Sequence, residues 1–199
     1  MPPRRVRLIG RTLAGLVAHA PWLWGAIRGP VTRFWDRTAR SWDANESPNR
    51  TQSLLAATDS VGDPKRILEI GTGTGSGAAV LKARFPAAEI TGVDLSPEMV
   101  RIAQAKVQGV AFEPADASRL PFADGSFDLV AQNNVPVYFS EIARVLAPGG
   151  RALITSTLGP ATPYYTPHKV LQRRFTKLGF TDMRSEQAPP GDWFLAVKA

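Results

Sequence analysis

The chain of 199 residues contains no cysteine, and its only histidines are His19 and His168. Without cysteine there is no disulfide, no thiolate nucleophile and no Cys-based metal site, which suits a reducing cytosol. Two histidines cannot build a His-rich metal site either, so no metal is expected. Long apolar runs are also scarce. A membrane-spanning helix needs about 20 apolar residues. Here only residues 12–27 lie between Arg11 and Arg28, and that stretch includes His19 and Pro21. A secretory leader fits poorly too: Arg11 interrupts the apolar core, and Pro21 would follow a cut after Ala18-His19-Ala20. Internal repeats and low-complexity tracts are absent. The expectation is a cytoplasmic protein, neither secreted nor membrane-spanning, with one domain and an appendage. Oligomeric state is not legible.

Charge is distributed unevenly. Residues 1–40 hold eight arginines against the single acid Asp36, whereas the remainder carries equal numbers of basic and acidic groups, so the net charge of +7 sits on the N-terminal fifth. That fifth also places Leu13, Leu16, Val17, Ala20, Leu23, Trp24 and Ile27 at helical spacing. Pro21 breaks one continuous helix but suits the first turn of a second. Residues 1–48 therefore read as a basic helical extension and 49–199 as the main domain. Three roles remain open for the extension. It packs as a lid beside a site, or rests as an amphipathic segment on an anionic membrane, or serves as a nucleic-acid arm.

The informative stretch is Ile67-Leu-Glu-Ile-Gly-Thr-Gly-Thr-Gly-Ser-Gly-Ala78. Ile67, Leu68 and Ile70 read as a buried parallel strand. Glycines at 71, 73, 75 and 77 then interrupt it, and Ala78 to Leu81 opens a helix. Strand, glycine turn and helix present bare backbone N–H groups and a helix N-terminus to a ligand. A second strand, Glu89 to Val93, ends on Asp94, 23 residues after Gly71. A carboxylate there can take the two ribose hydroxyls of a nucleoside. A dinucleotide fingerprint requires glycine at 71, 73 and 76, and position 76 is Ser.

Glu69, Gly71, Gly73 and Gly75 in this order resemble the first motif of the class I S-adenosylmethionine-dependent methyltransferases. Three more segments resemble that family: Glu113-Pro-Ala-Asp116-Ala-Ser-Arg-Leu-Pro-Phe122, Asp124-Gly-Ser-Phe-Asp128-Leu-Val-Ala-Gln132, and Ile142-Ala-Arg-Val-Leu-Ala-Pro-Gly-Gly-Arg-Ala-Leu-Ile154. The likeness runs from about residue 50 to the C-terminus. It implies a small-molecule methyltransferase with S-adenosyl-L-methionine as cofactor. The implied fold is α/β: a Rossmann-like, seven-stranded, mostly parallel sheet with helices on both faces and an antiparallel last strand inserted beside the fifth. The alternation of strand and helix patterns supports the same class independently.

The resemblance also implies site residues. Gly71, Thr72, Gly73 and Gly75 would lie beneath the methionine portion, and Asp94, Leu95 and Met99 beside the ribose. Asp116 would take the adenine amino group, with Ala117 and Asn133 adjacent. Glu69 either touches the ligand or braces the turn through backbone N–H groups. Asp128 reads as a bridge between strand ends, and Pro148-Gly149-Gly150 as a helix stop followed by a turn. Trp35 and Trp42, in an aromatic-rich segment before the core, are candidates for the acceptor pocket, as are Asn134, Tyr138 and Tyr165.

Methyl transfer from a sulfonium is an in-line displacement that depends on alignment and exclusion of water. A general base is required only when the acceptor atom carries a proton. His168 and Tyr138 are the candidates for it, each with an ordinary structural explanation beside it. Asn134, Pro136 and Tyr138 partly resemble the Asn-Pro-Pro-Tyr signature of nucleobase methyltransferases, with Val135 and Val137 interposed. A nicotinamide-dependent oxidoreductase and a non-catalytic cofactor-binding scaffold stand as further alternatives. The first lacks glycine at 76 and a Tyr-x-x-x-Lys pair.

Overall fold

A computed structural model describes residues 24–45 and 49–199. Seven strands form a single sheet: β1 (Arg66–Ile70), β2 (Glu89–Asp94), β3 (Ala111–Pro114), β4 (Phe127–Asn133), β5 (Leu146–Ser156), β6 (Phe180–Ala188) and β7 (Gly191–Lys198). Their order is β3-β2-β1-β4-β5-β7-β6. The first five pair in parallel, and β7 runs antiparallel between β5 and β6. This is the sheet implied by the family resemblance.

Six α-helices are described: α1 (Trp24–Asn45), α2 (Gln52–Ala57), α3 (Ser76–Arg84), α4 (Pro97–Lys106), α5 (Phe139–Val145) and α6 (His168–Lys177). Alternation along the buried strands sends side chains to both faces. Ile67, Ile90, Leu129 and Leu153 meet α2 and α3 through Leu54 and Leu81. Leu68, Ile70, Val130 and Ala152 meet α5 and α6 through Ile142 and Phe175. Phe175 is fully buried and packs against Phe139, Phe180 and Phe194, with ring centroids 4.8–6.0 Å apart. Burial of such a side chain contributes about 1.5–3 kcal/mol.

Local chemistry sets the element ends that matter for function. Gly71, at φ +73°, ends β1, and the amides of Gly71 and Thr72 both donate to the Val93 carbonyl at 2.8 and 3.0 Å. Ser96 caps α4: its hydroxyl accepts from the Met99 amide at 3.2 Å, with Pro97 in the first turn.

Some boundaries differ from expectation. The Pro148-Gly149-Gly150 segment belongs to β5, because pairing with β4 begins at Phe127–Leu146 and resumes, after a slip, at Leu129–Arg151. Helix α2 ends at Ala57 and continues as a 3₁₀ turn, Thr58–Ser60. Residues 24–45 form one helix running through Pro30 and the aromatic segment. Leu13, Leu16, Val17, His19, Ala20 and Leu23 lie outside the described residues.

Candidate functional site

The carboxyl edge of the sheet gathers the turn after β1, Asp94 at the end of β2, Asp116 after β3 and Asn133 at the end of β4. Ligands of open parallel sheets bind at this edge. Asp94 holds the glycine turn in place: one carboxylate oxygen accepts from the Gly73 amide and the other from the Ser96 amide, each at 2.9 Å. With the Leu95 amide also bonded to this carboxylate, its two oxygens, at two bonds each, keep room for one further donor such as a ribose hydroxyl. Burial raises the Asp94 pKa, and these amides oppose the rise.

Glu69 approaches the same turn from below. It is 3% exposed, accepts from the Thr72 hydroxyl, and lies against Gly77, where an added Cβ would come within 1.9 Å of Oε1. Burial pushes its pKa up to about 7, against the opposing bonds from Thr72 and the Ala78 amide. The carboxylate is thus placed as a brace under the turn and the start of α3.

Asp116 accepts from the Ser118 amide and hydroxyl at 2.9 and 2.7 Å. It also accepts from the Trp24 indole N–H, which lies 3.0 and 2.9 Å from its two oxygens, and from Arg28 at 3.3 Å. Burial alone would raise this carboxyl, but these donors hold it below its usual value. Trp24 also meets Tyr138 edge-on, at 6.5 Å between centroids.

Helix α1 therefore lies across the segments that follow β1 to β4. Asp36 accepts from the Ser96 hydroxyl at 2.5 Å and the Glu98 amide at 3.3 Å. Asp43 accepts from Thr74 and Lys106, each at 2.5 Å, and pairs with Arg50 at 3.3 Å. Trp42 meets Trp35 edge-on at 5.4 Å, and its Nε1 stands 3.8 Å from where a Cβ on Gly73 would lie. Trp42 thus lies over the glycine turn at Gly73, with Trp35 packed against it. Leu95 and Met99 lie at the entry to α4, with Met99 buried, and Ala117 packs at the edge of the core. Asp128 bridges strand ends, accepting from the Lys65 and Arg66 amides at 3.0 and 2.8 Å.

Beyond β4 the chain turns tightly. The Asn133 amide donates to the Arg50 carbonyl at 2.9 Å, and its oxygen accepts from Thr155 at 3.0 Å. Asn134 adopts φ +58°, held by reciprocal bonds with Thr157 at 2.6 and 2.9 Å. Val135 packs on the turn: a Cβ on Gly71 would lie 2.3 Å from its Cγ1. A cavity opens beside it, lined by Asn134, Val135, Thr155, Tyr164, Tyr165, His168 and Asp192 among others. Asp192, Trp24 and Tyr164 stand at these sites without having been singled out for them by the sequence.

Comparison with known proteins points to the same fold. Residues 67–150 match the family model described as a methyltransferase domain. The chain is 46% identical over 102 residues to a demethylmenaquinone methyltransferase of Thermus thermophilus, covering 46% of this chain and 46% of that one. It is 32% identical over 146 residues to a malonyl-[acyl-carrier protein] O-methyltransferase of Xylella fastidiosa, covering 66% of this chain and 49% of that one. A solved S-adenosylmethionine-dependent methyltransferase from Thermotoga maritima superposes with a TM-score of 0.62 at 20% identity, over 89% of this chain and 100% of that one. The chain spans about half the length of the curated relatives it matches.

The protein has the class I S-adenosylmethionine-dependent methyltransferase fold. Residues 67–150 match a methyltransferase domain, and S-adenosylmethionine is the cofactor of that class. Among the described residues no cluster of metal-ligating side chains occurs, and no helix is long and apolar enough to cross a membrane.

Proposed function

We propose that the chain transfers a methyl group from S-adenosylmethionine to a small-molecule or lipid-like acceptor. One observation carries the reading: the glycine turn, Asp94 and Asp116 converge on one sheet edge with acceptor capacity matched to a nucleoside. The turn is bare of side chains at three positions, since Gly71, Gly73 and Gly75 all have positive φ, and bonds to Val93, Asp94 and Thr72 fix its shape. Asp94 would take the ribose hydroxyls and Asp116 the adenine amino group. When bound, the cofactor supplies an electrophilic methyl on sulfonium. This chain's residues orient it and, through α1, exclude water.

In this reading residues 1–48 form the extension and 49–199 the catalytic unit, with Trp35, Trp42, Asn134, Tyr138 and Tyr165 on the acceptor side. The +7 charge of residues 1–40 supports a peripheral contact with anionic membrane for that segment, each arginine adding about 1 kcal/mol near such a surface. Sedimentation with anionic vesicles, lost on deletion of residues 1–22, tests that contact. Calorimetry with S-adenosylhomocysteine and with NAD tests the cofactor. Saturable heat with the first and none with the second is expected; the reverse would identify an oxidoreductase.

A further inference from the structure

The cavity beyond β4 and β5 contains a pair of side chains that the cofactor site does not use. His168, the first residue of α6, places Nε2 3.6 Å from Oδ1 of Asp192 at the start of β7. Asp192 is 2% exposed, and its Oδ2 is buried without a hydrogen-bond partner. Its position is fixed by the backbone. Gly191 lies so tightly against the Ser156 carbonyl that a Cβ would come within 1.8 Å of that oxygen. The imidazole is held between the Tyr165 and Phe194 rings, at 6.4 and 5.9 Å between centroids.

A sealed carboxylate with an unused oxygen is costly unless a cation stands beside it. The one group of the cavity lining able to become a cation is the His168 imidazole, when it takes up a proton, because the other titratable groups there are Asp192, Tyr164 and Tyr165. Burial and the Asp192 carboxylate push the Tyr165 hydroxyl up, and burial with Asp94 pushes Tyr164 up to about 12, so both phenols stay neutral. Side-chain exposure divides the pair's roles. His168 is 25% exposed and Asp192 3%, so a ligand reaches the imidazole and not the carboxylate. That geometry suits a base backed by a carboxylate and does not suit direct capture of an ammonium group.

The cavity adjoins the cofactor cleft on two sides. Val135 lines the cavity and packs on Gly71, and Tyr164 lines it and lies close enough to Asp94 to feel its charge. We infer that His168 is the general base for the acceptor, that Asp192 positions it, and that the acceptor attacks through a hydroxyl oxygen of the phenol or enol class. This inference rests on the methyltransferase reading. The acceptor oxygen gives its proton to His168 Nδ1 and forms the bond to the methyl carbon, while the carbon–sulfur pair departs on sulfur. The positive charge initially on the sulfonium thus ends on the imidazolium, facing Asp192.

The pair can be tested without turnover, using para-nitrophenol as a chromogenic acceptor mimic. The protein is saturated with S-adenosylhomocysteine at a mildly acidic pH at which the free phenol is colourless. The wild type should show a phenolate absorption band. His168→Gln should abolish it, and Asp192→Asn should weaken it several-fold, both variants keeping their calorimetric affinity for S-adenosylhomocysteine as evidence of an intact fold. No band in the wild type, or a band that survives in His168→Gln, overturns the inference while leaving the methyltransferase reading standing. Failure of the wild type to bind S-adenosylhomocysteine overturns both.

Discussion

Trp24 occupies the acceptor that the proposed cofactor needs. Its indole N–H lies within 3.0 Å of both oxygens of Asp116, where the adenine amino group would donate. The two donors compete, so the apparent affinity for cofactor is reduced by the fraction of molecules in which Trp24 is engaged. Trp24→Phe removes the N–H while keeping an aromatic ring beside Tyr138. A hydrogen bond to a charged group is worth roughly 1.5–3 kcal/mol, and about 1.4 kcal/mol is a ten-fold change in affinity. Arg28 remains near Asp116, but its side chain is 56% exposed and such pairs contribute about 0–1 kcal/mol. Calorimetry should therefore show Trp24→Phe binding S-adenosylhomocysteine about ten-fold more tightly than the wild type. In an Asp116→Ala background the same substitution should give no gain, since the contested acceptor is absent. Unchanged or weaker binding in the single variant would refute the competition and leave Trp24 as an ordinary part of the packing.

Asp94→Ala should weaken S-adenosylhomocysteine binding by roughly 1–3 kcal/mol, the cost of unpaired polar partners, and an unchanged dissociation constant in a folded variant removes Asp94 from the site. Glu69 gives a pH dependence of stability. Its folded pKa of about 7 lies above the ordinary glutamate value of 4.5, so the folded state holds the extra proton and stability falls as pH rises between those values. The loss is about 3 kcal/mol at about 1.4 kcal/mol per unit. Denaturant titration should show the decline in wild type and a flatter profile in Glu69→Gln; parallel profiles would contradict it. Gly191→Ala should destabilise by several kcal/mol, in the range of severe overpacking, because the new Cβ meets backbone oxygen at 1.8 Å; a melting temperature within error of wild type would show that β7 can shift.

The sequence was legible where function depends on local chain geometry. The strand–glycine–helix unit at 67–81 follows from alternation and positive-φ glycines, and Asp94 and Asp116 follow from their places after strands. The course of α1 was not legible. It is set by contacts across long sequence separations, such as Trp24 to Asp116 and Asp36 to Ser96, and no spacing rule signals them. Asp192 was hidden for a related reason. Pro189-Pro190-Gly191 reads as a connection between strands, and the Asp192 carboxylate after it becomes buried only because β7 enters between β5 and β6 with Gly191 against Ser156. The Pro148-Gly149-Gly150 segment misled at the boundary, since a register slip in β4–β5 absorbs what reads as a stop.

A structure of the protein with S-adenosylhomocysteine bound tests the central claim most directly. The account predicts the ribose hydroxyls on Asp94, the adenine amino group on Asp116, and the Trp24 indole displaced from that carboxylate. A complex in which Trp24 still donates to Asp116 while the ligand lies elsewhere on the protein would contradict it.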